Sequence, residues 1–266
     1  MGTAMTGLMA GKRGLIMGVA NERSIAWGIA KAMAEQGAEL AFSYQGEAFG
    51  KRVEPLAASL GSDLLLDVDV TDEASLDSAF DALKTRWGKM DFLVHAIAFS
   101  DKTELTGRFR DTSRANFKTS LEISCYSFID LGRRASELMT DGGTLLTLTF
   151  QGSNAVTPFY NVMGVAKAAL ESAVRYLASD LGPEGIRVNA ISPGPMKTLA
   201  GAAIGGARKT FRHAEANAPL RTNATLESVG GTAVYLASDY GTHTTGEIIH
   251  VDGGYHVMGM PQVENI

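Results

Sequence analysis

Two side chains able to move or hold a proton, Tyr160 and Lys167, stand seven residues apart in Tyr160-Asn161-Val162-Met163-Gly164-Val165-Ala166-Lys167. They head an Ala- and Leu-rich run to Ala178 that contains no proline, which predicts a helix. Seven residues is close to two turns, so the spacing predicts that phenol and ammonium project from one helical face. An ammonium beside a phenol favours the ionised form of the phenol. A tyrosine so placed can donate a strong hydrogen bond to an oxygen that gains negative charge in a reaction. The same pair also suits a structural role, with a core tyrosine anchored by its hydroxyl and a lysine that snorkels.

The elements that must position this pair follow a regular rhythm. Candidate strands are Gly14–Met17, Glu39–Tyr44, Leu64–Val70, Phe92–Ala96, Gly143–Phe150, Ile186–Ser192 and Glu247–Val251. Between the early ones lie amphipathic stretches: Ile25, Ile29, Ala32 and Met33; Val53, Leu56, Ala57 and Leu60; Leu76, Phe80, Leu83 and Trp87. Thr112–Met139 reads as one long helix or two broken ones, and the stretch Leu226–Leu236 precedes the last strand. Such alternation predicts a single α/β domain, a doubly wound parallel sheet of seven strands joined by right-handed crossovers. No linker-like composition or repeat divides residues 1–266, and the core is expected over 10–256.

Ligands of a doubly wound sheet lie beyond the carboxyl ends of its strands. After the first strand come Gly18 and then Ser24, a candidate N-cap for the helix opening at Ile25, where a dinucleotide pyrophosphate could sit. The glycines do not form G-x-G-x-x-G. The second strand ends at Gln45, an amide where an acid often holds the ribose diol. Asp69 could accept from an adenine amino group, and Ile97 could flank the ribose. The Ala/Gly-rich stretch from Met196 to Gly206 reads as a mobile lid, followed by a basic cluster of Arg208, Lys209, Arg212 and His213.

Composition narrows the class further. The chain has 266 residues, 45% hydrophobic and 20% charged, with a formal net charge of −5, which argues against a nucleic-acid binder or a polybasic membrane surface. Its one cysteine, Cys125, excludes a disulfide within the chain and suits a reducing compartment. The five histidines lack paired ligand spacing, so no metal site is expected. No apolar run reaches membrane-spanning length, and no signal-peptide pattern opens the chain.

Taken together, Gly18-x5-Ser24-Ile25-Ala26-x-Gly28, Tyr44-Gln45, Asp69-Val70 and His95-Ala96-Ile97 resemble the enoyl-acyl-carrier-protein reductases, a divergent branch of the short-chain dehydrogenase/reductases. So do Tyr160-x6-Lys167, Arg187–Ser192, Gly194-Pro195-x-x-Thr198-Leu199-Ala200 and His250–Gly254. Tyr-x6-Lys is the most specific part, because typical members of the superfamily use Tyr-x3-Lys. The resemblance implies a Rossmann fold and NADH-dependent reduction of a trans-2-enoyl thioester in fatty acid elongation. Tyr160 would hydrogen-bond the thioester oxygen and Lys167 the nicotinamide ribose.

The resemblance also implies a cofactor set of Gly18, Ser24 and Ile25 at the pyrophosphate, Gln45 at the adenosine ribose, Asp69 and Val70 at the adenine, and Ile97 at the neighbouring ribose. Met196, Thr198, Leu199 and Ala200 would cover the nicotinamide side. Ser100, Phe150 and Met163 would border the acyl site with Tyr160, and residues 196–216 would form the substrate lid. Gln45 resembles the NADH-using members. An acyl carrier protein as partner, a homotetramer and a cytoplasmic location are implied too.

Some positions depart from the pattern. Phe150 stands where many members have a second tyrosine, Ala98 replaces a glycine, Pro193 an alanine, and Thr222-Asn223 follows Arg221 where a second arginine is common. Two alternatives stay open on the residues alone. One is a carbonyl reductase of the same superfamily, with Ser153 as its substrate-side serine; the other is a nucleotide-binding homologue without chemistry.

Overall fold

Residues 7–199, 201 and 205–266 are described in a computed structural model of the chain. Seven strands form one parallel sheet: β1 (Arg13–Met17), β2 (Glu39–Tyr44), β3 (Leu64–Asp67), β4 (Phe92–His95), β5 (Gly143–Leu148), β6 (Ile186–Pro193) and β7 (Ile248–Val251). Their order is β3-β2-β1-β4-β5-β6-β7, so the winding reverses between β1 and β4. In such a sheet the crevice at the reversal is where ligands bind.

The strands are near-continuous apolar runs because helices cover both faces. One face packs Leu15, Leu93, Leu145 and Val188 against α3 (Glu73–Trp87), α5 (Ser127–Ser136) and α6 (Val162–Leu181). The other packs Ile16, Phe42, Val94 and Ile191 against α1 (Ile25–Glu35), α2 (Glu47–Ser59) and α8 (Leu226–Ala237). Alternate residues of each central strand feed the two layers, as a period of two demands. The predicted doubly wound sheet is therefore present with all seven strands.

Three local expectations are corrected. β3 stops at Asp67 rather than Val70, since the Val68 amide makes one last bond to Tyr44 O at 2.7 Å and the chain then turns at Asp69. The stretch 112–139, expected as one long helix or two broken ones, is shorter at both ends: α4 (Arg114–Leu121) and α5 are joined without a loop by a π-turn at Glu122–Tyr126.

The third correction concerns the central pair. α6 begins at Val162, not at Tyr160. Phe159 and Asn161 have positive φ, 63° and 40°, which breaks the helix before it reaches the tyrosine. Tyr160 therefore sits in the turn preceding the helix, with its amide on Thr157 O and its carbonyl taking the Met163 amide. The two side chains do not share one helical face.

Within the stretch expected to be a lid, residues 207–217 form α7 (Ala207–Asn217), which carries Arg208, Lys209, Arg212 and His213. No helix among the described residues is long and apolar enough to cross a membrane.

Candidate active site

Every strand of the sheet points its carboxyl end at one rim, and the predicted site residues lie along it. Gly18 follows β1 with φ of 98°. A Cβ there would stand 2.1 Å from Ala96 O, so only glycine lets the β1 and β4 ends approach this closely. Ser24 occupies the N-cap position of α1, but its hydroxyl makes no cap bond. It accepts instead from the amides of Ala20 and Asn21, at 3.0 and 3.1 Å, and so ties the turn together. Among the described residues the amides of Ile25 and Ala26 consequently have no acceptor. Donors of this kind at a helix N-terminus suit a phosphate.

At the end of β2, Gln45 Nε2 donates to Asp69 Oδ2 at 2.9 Å. Asp69 Oδ1 takes the Thr71 amide and hydroxyl at 2.9 and 2.7 Å, and these two bonds hold the carboxyl below its ordinary range. The Gln45 amide is thereby oriented with its Oε1 uncommitted. Val70 and Ile97 are half-buried and pack on the core beneath them. Met196 and Thr198 line a cavity of about 250 Å³ with Arg23, Lys197, Phe211, Ala224 and Leu226. Beside it the Asn223 Oδ1 is buried without a partner among the described residues, while its Nδ2 donates to Phe211 O at 3.0 Å. Leu199 is exposed, and Ala200 lies outside the described residues.

Tyr160 and Lys167 are both buried. Burial, and secondarily the Glu171 charge, pushes the Tyr160 phenol above its ordinary range. Desolvation, rather than the pull toward ionisation expected from a neighbouring ammonium, governs this phenol, and Tyr160 is a proton-bearing donor. Its hydroxyl has no hydrogen-bond partner among the described residues. Burial pulls the Lys167 ammonium down to about 8, opposed by Cys125 and Glu171. Lys167 Nζ donates to Leu148 O, at the end of β5, at 2.7 Å.

Tyr160 belongs to a small apolar cluster with Leu105, Val162 and Met163, joined by Leu121 and Phe150. The Phe150 ring meets the Tyr160 ring edge-on, centroids 5.1 Å apart. Ser100, by contrast, turns its hydroxyl to Asn116 Oδ1 at 3.2 Å, so it closes the loop at 97–101 rather than facing the phenol. Ser153 also has another partner: its hydroxyl donates to Glu171 Oε1 at 2.5 Å. It is not free to serve as the substrate-side serine of a carbonyl reductase.

Several functional-looking residues escaped the sequence reading. Asn161 Nδ2 reaches the carbonyls of Leu105 and Gly107, at 3.1 and 2.9 Å, and fixes the Tyr160 turn to the loop after Leu105. Ser124, in the π-turn, holds both backbone groups of Phe99 at 3.0 and 3.2 Å. His95 is fully buried between Thr147 Oγ1 (2.9 Å) and Ser127 Oγ (2.8 Å). Burial first, and Lys167 second, lower His95 to about 3, so it is neutral. Only Glu171 left a sequence trace, as the one acid on the inward face of an apolar helix, four residues after Lys167.

Residues 18–256 match the family model described as "Enoyl-(Acyl carrier protein) reductase". The enoyl-[acyl-carrier-protein] reductase [NADH] 2 of Rhizobium meliloti is 62% identical over 98% of this chain and 97% of its own length. The crystal structure of the Anaplasma phagocytophilum reductase in complex with NAD is 56% identical, with TM-score 0.94 over 97% of this chain and 99% of that one. The Bacillus cereus enoyl-acyl carrier protein reductase, solved with NADP+ and indole naphthyridinone, is 47% identical with TM-score 0.94 over 96% of this chain and 100% of that one. The full-length likeness, the seven-stranded sheet and Tyr160-x6-Lys167 all agree: the chain belongs to the enoyl-(acyl carrier protein) reductase family.

Proposed function

We propose that this protein is an NADH-dependent oxidoreductase of fatty acid synthesis, which saturates the double bond of a trans-2-enoyl thioester carried on an acyl carrier protein. The observation that carries the reading is the Tyr160 hydroxyl: protonated, on a buried side chain, and without a partner among the described residues. It stands at the apolar cluster of Leu105, Val162, Met163 and Phe150, a surface for an acyl chain.

The rim suits a dinucleotide on its own chemistry. The Gly18 cradle would be filled by a methyl group, and the α1 amides, Gln45 and Asp69 supply donors and acceptors in sequence along it. Gly18, Ser24 and Ile25 hold the pyrophosphate, Gln45 the adenosine ribose, Asp69 and Val70 the adenine, and Ile97, Met196, Thr198, Leu199 and Ala200 the remainder. When bound, NADH would supply the hydride that the β-carbon takes up, and protonation of the α-carbon would complete the saturation. The Tyr160 phenol donates its hydrogen bond to the thioester oxygen, where negative charge gathers as the enolate forms, and this electrostatic term lowers the barrier. Lys167, charged below about 8, holds the nicotinamide ribose hydroxyls and keeps a positive charge near that oxygen. Ser100, Phe150 and Met163 bound the acyl side.

The test is loss of NADH absorbance with a medium-chain enoyl thioester. Turnover of a 3-oxoacyl thioester in its place would overturn the reading.

Gln45 sets the coenzyme. One of its two N–H donors is held by Asp69, which turns Oε1 to accept from a ribose hydroxyl and to meet a 2′-phosphate with lone pairs. Gln45→Arg is expected to raise the preference for NADPH over NADH, as a ratio of kcat/KM, by about tenfold or more. An unchanged ratio would remove Gln45 from the ribose.

The whole chain acts as one domain, with residues 196–216 as the lid over the substrate, of which 200 and 202–204 lie outside the described residues, and α7 presents Arg208, Lys209 and Arg212 to an acidic carrier. Reversing these three charges should raise KM for carrier-bound substrate several-fold and leave a small thioester unaffected. Equal effects on both substrates would end the docking idea. A homotetramer in the cytoplasm completes the reading. It is supported by exposed Tyr176 and Ile129 around an apolar hollow on α5 and α6, and sedimentation as a monomer would contradict it.

A further inference from the structure

A carboxylate lies one turn below Lys167 and takes part in no ion pair among the described residues. Glu171 is 5% exposed, and four residues place it on the same face of α6 as the lysine. Its Oε1 accepts two hydroxyls, from Thr149 at 2.6 Å and Ser153 at 2.5 Å. Burying a charge is costly unless hydrogen bonds and a counter-charge offset it, and the two hydroxyls alone are a thin offset. The arrangement needs a reason beyond packing.

The two hydroxyls supply one. Thr149 directly follows Leu148, whose carbonyl holds Lys167 Nζ, so the end of β5 grips the two buried charged side chains of α6, Lys167 and Glu171, through adjacent residues. Ser153 ends the short turn of 151–153, whose Gly152 lies against the phenol ring. A Cβ on Gly152 would meet Tyr160 Cδ1 at 2.5 Å. A shift of that turn by a fraction of an ångström therefore moves the ring.

We propose that Glu171 is a positioning residue for the reaction: it pins the turn that backs the Tyr160 ring and places a negative charge beside the buried Lys167 ammonium. The inference rests on the reductase reading above and names a residue which that reading does not use. Lys167 is faced by Cys125 from the π-turn, His95 from β4 and Glu171 from its own helix, while Tyr160 of the preceding turn and His250 of β7 face Glu171. His95 is neutral near pH 7, and burial raises the Cys125 thiol. Glu171 is therefore the one acid among these groups.

The experiment compares wild type with Glu171→Gln and Ser153→Ala, using NADH and an enoyl thioester across pH. Glu171→Gln keeps the volume and removes the charge. The expected result is a kcat lowered about tenfold or more with KM changed less than threefold, and an alkaline limb of kcat displaced to lower pH. The sign follows from charge: an anion favours protonated lysine, so its removal makes the ammonium easier to lose. Ser153→Ala frees the turn but keeps the anion. It should lower kcat and leave the alkaline limb in place, and it reports on the clamp even if Glu171→Gln fails to fold.

Wild-type kcat and an unmoved limb in both variants would overturn the proposal. A wild type without enoyl turnover would instead refute the reaction. The same variants would then be read by NADH titration across pH, where Glu171→Gln either moves the alkaline loss of binding, in support, or does not, in refutation.

Discussion

Tyr160→Phe is expected to lower turnover of an enoyl thioester by about 10²–10³-fold, the usual cost of deleting one donor to a developing oxyanion. The change removes a single oxygen. That oxygen has no partner among the described residues, so the fold should not register its loss, and a melting temperature within a few degrees of wild type is the control. The ring keeps its edge-on contact with Phe150 and its place against Gly152. KM should therefore move little, and the deficit should appear in kcat, because the bond is worth most when the oxygen carries charge. Phe150 raises the stakes of this result. A family member with a second tyrosine at that position has a second hydroxyl within reach of the region, whereas here one phenol must do the work. A loss below tenfold would mean that another group stabilises the enolate.

Lys167→Met should have the next largest effect, chiefly on the dinucleotide. A charge-assisted hydrogen bond contributes about 1.5–3 kcal/mol, which sets a loss of roughly 10–100-fold in NADH affinity. The wild type should bind NADH best while the ammonium is charged and lose affinity as pH rises through about 8. That alkaline fall should vanish in the variant. Stability should respond in the opposite sense. Between about 8 and the ordinary lysine value the unfolded chain binds a proton that the folded chain has shed, so wild-type stability rises with pH across this window. Methionine fills the space without the desolvation cost, and the slope should disappear. Isothermal titration and urea denaturation at several pH values measure the two halves of the prediction. Retained affinity with an unchanged pH profile would remove Lys167 from the ribose.

The rim residues were legible because their elements announce themselves. Apolar runs separated by amphipathic helices fix the strand order to a few possibilities, and the wound topology carries Gly18, Gln45, Asp69 and Ile97 to one edge without any further information. What stayed hidden was decided by single torsions and single hydroxyls. The left-handed conformations of Phe159 and Asn161 have no glycine to advertise them, so the helix seemed to include Tyr160. Ser24 has the type and position of a cap, yet its oxygen finds two nearer amides. The titration of Tyr160 is set by the depth at which it is buried, which a sequence does not report. Glu171, Ser124 and Asn161 act through partners 18 to 57 residues away, a distance that periodicity does not span.

The π-turn at Glu122–Tyr126 has a consequence for how the mouth of the site is tuned. Each residue of a helix advances about 100° around its axis, so a turn wider by one residue offsets everything after it by roughly that angle. The rod running from Arg114 to Ser136 thus has two azimuths. Its first half aims Asn116, braced by Ser120, at the loop bearing Ser100 and Asp101. Its second half aims Phe128, Leu131 and Ala135 into the sheet. Substitutions in the first half can reshape the entrance while the second half stays keyed to the core, and the offset between them is what keeps the two tasks on separate bearings.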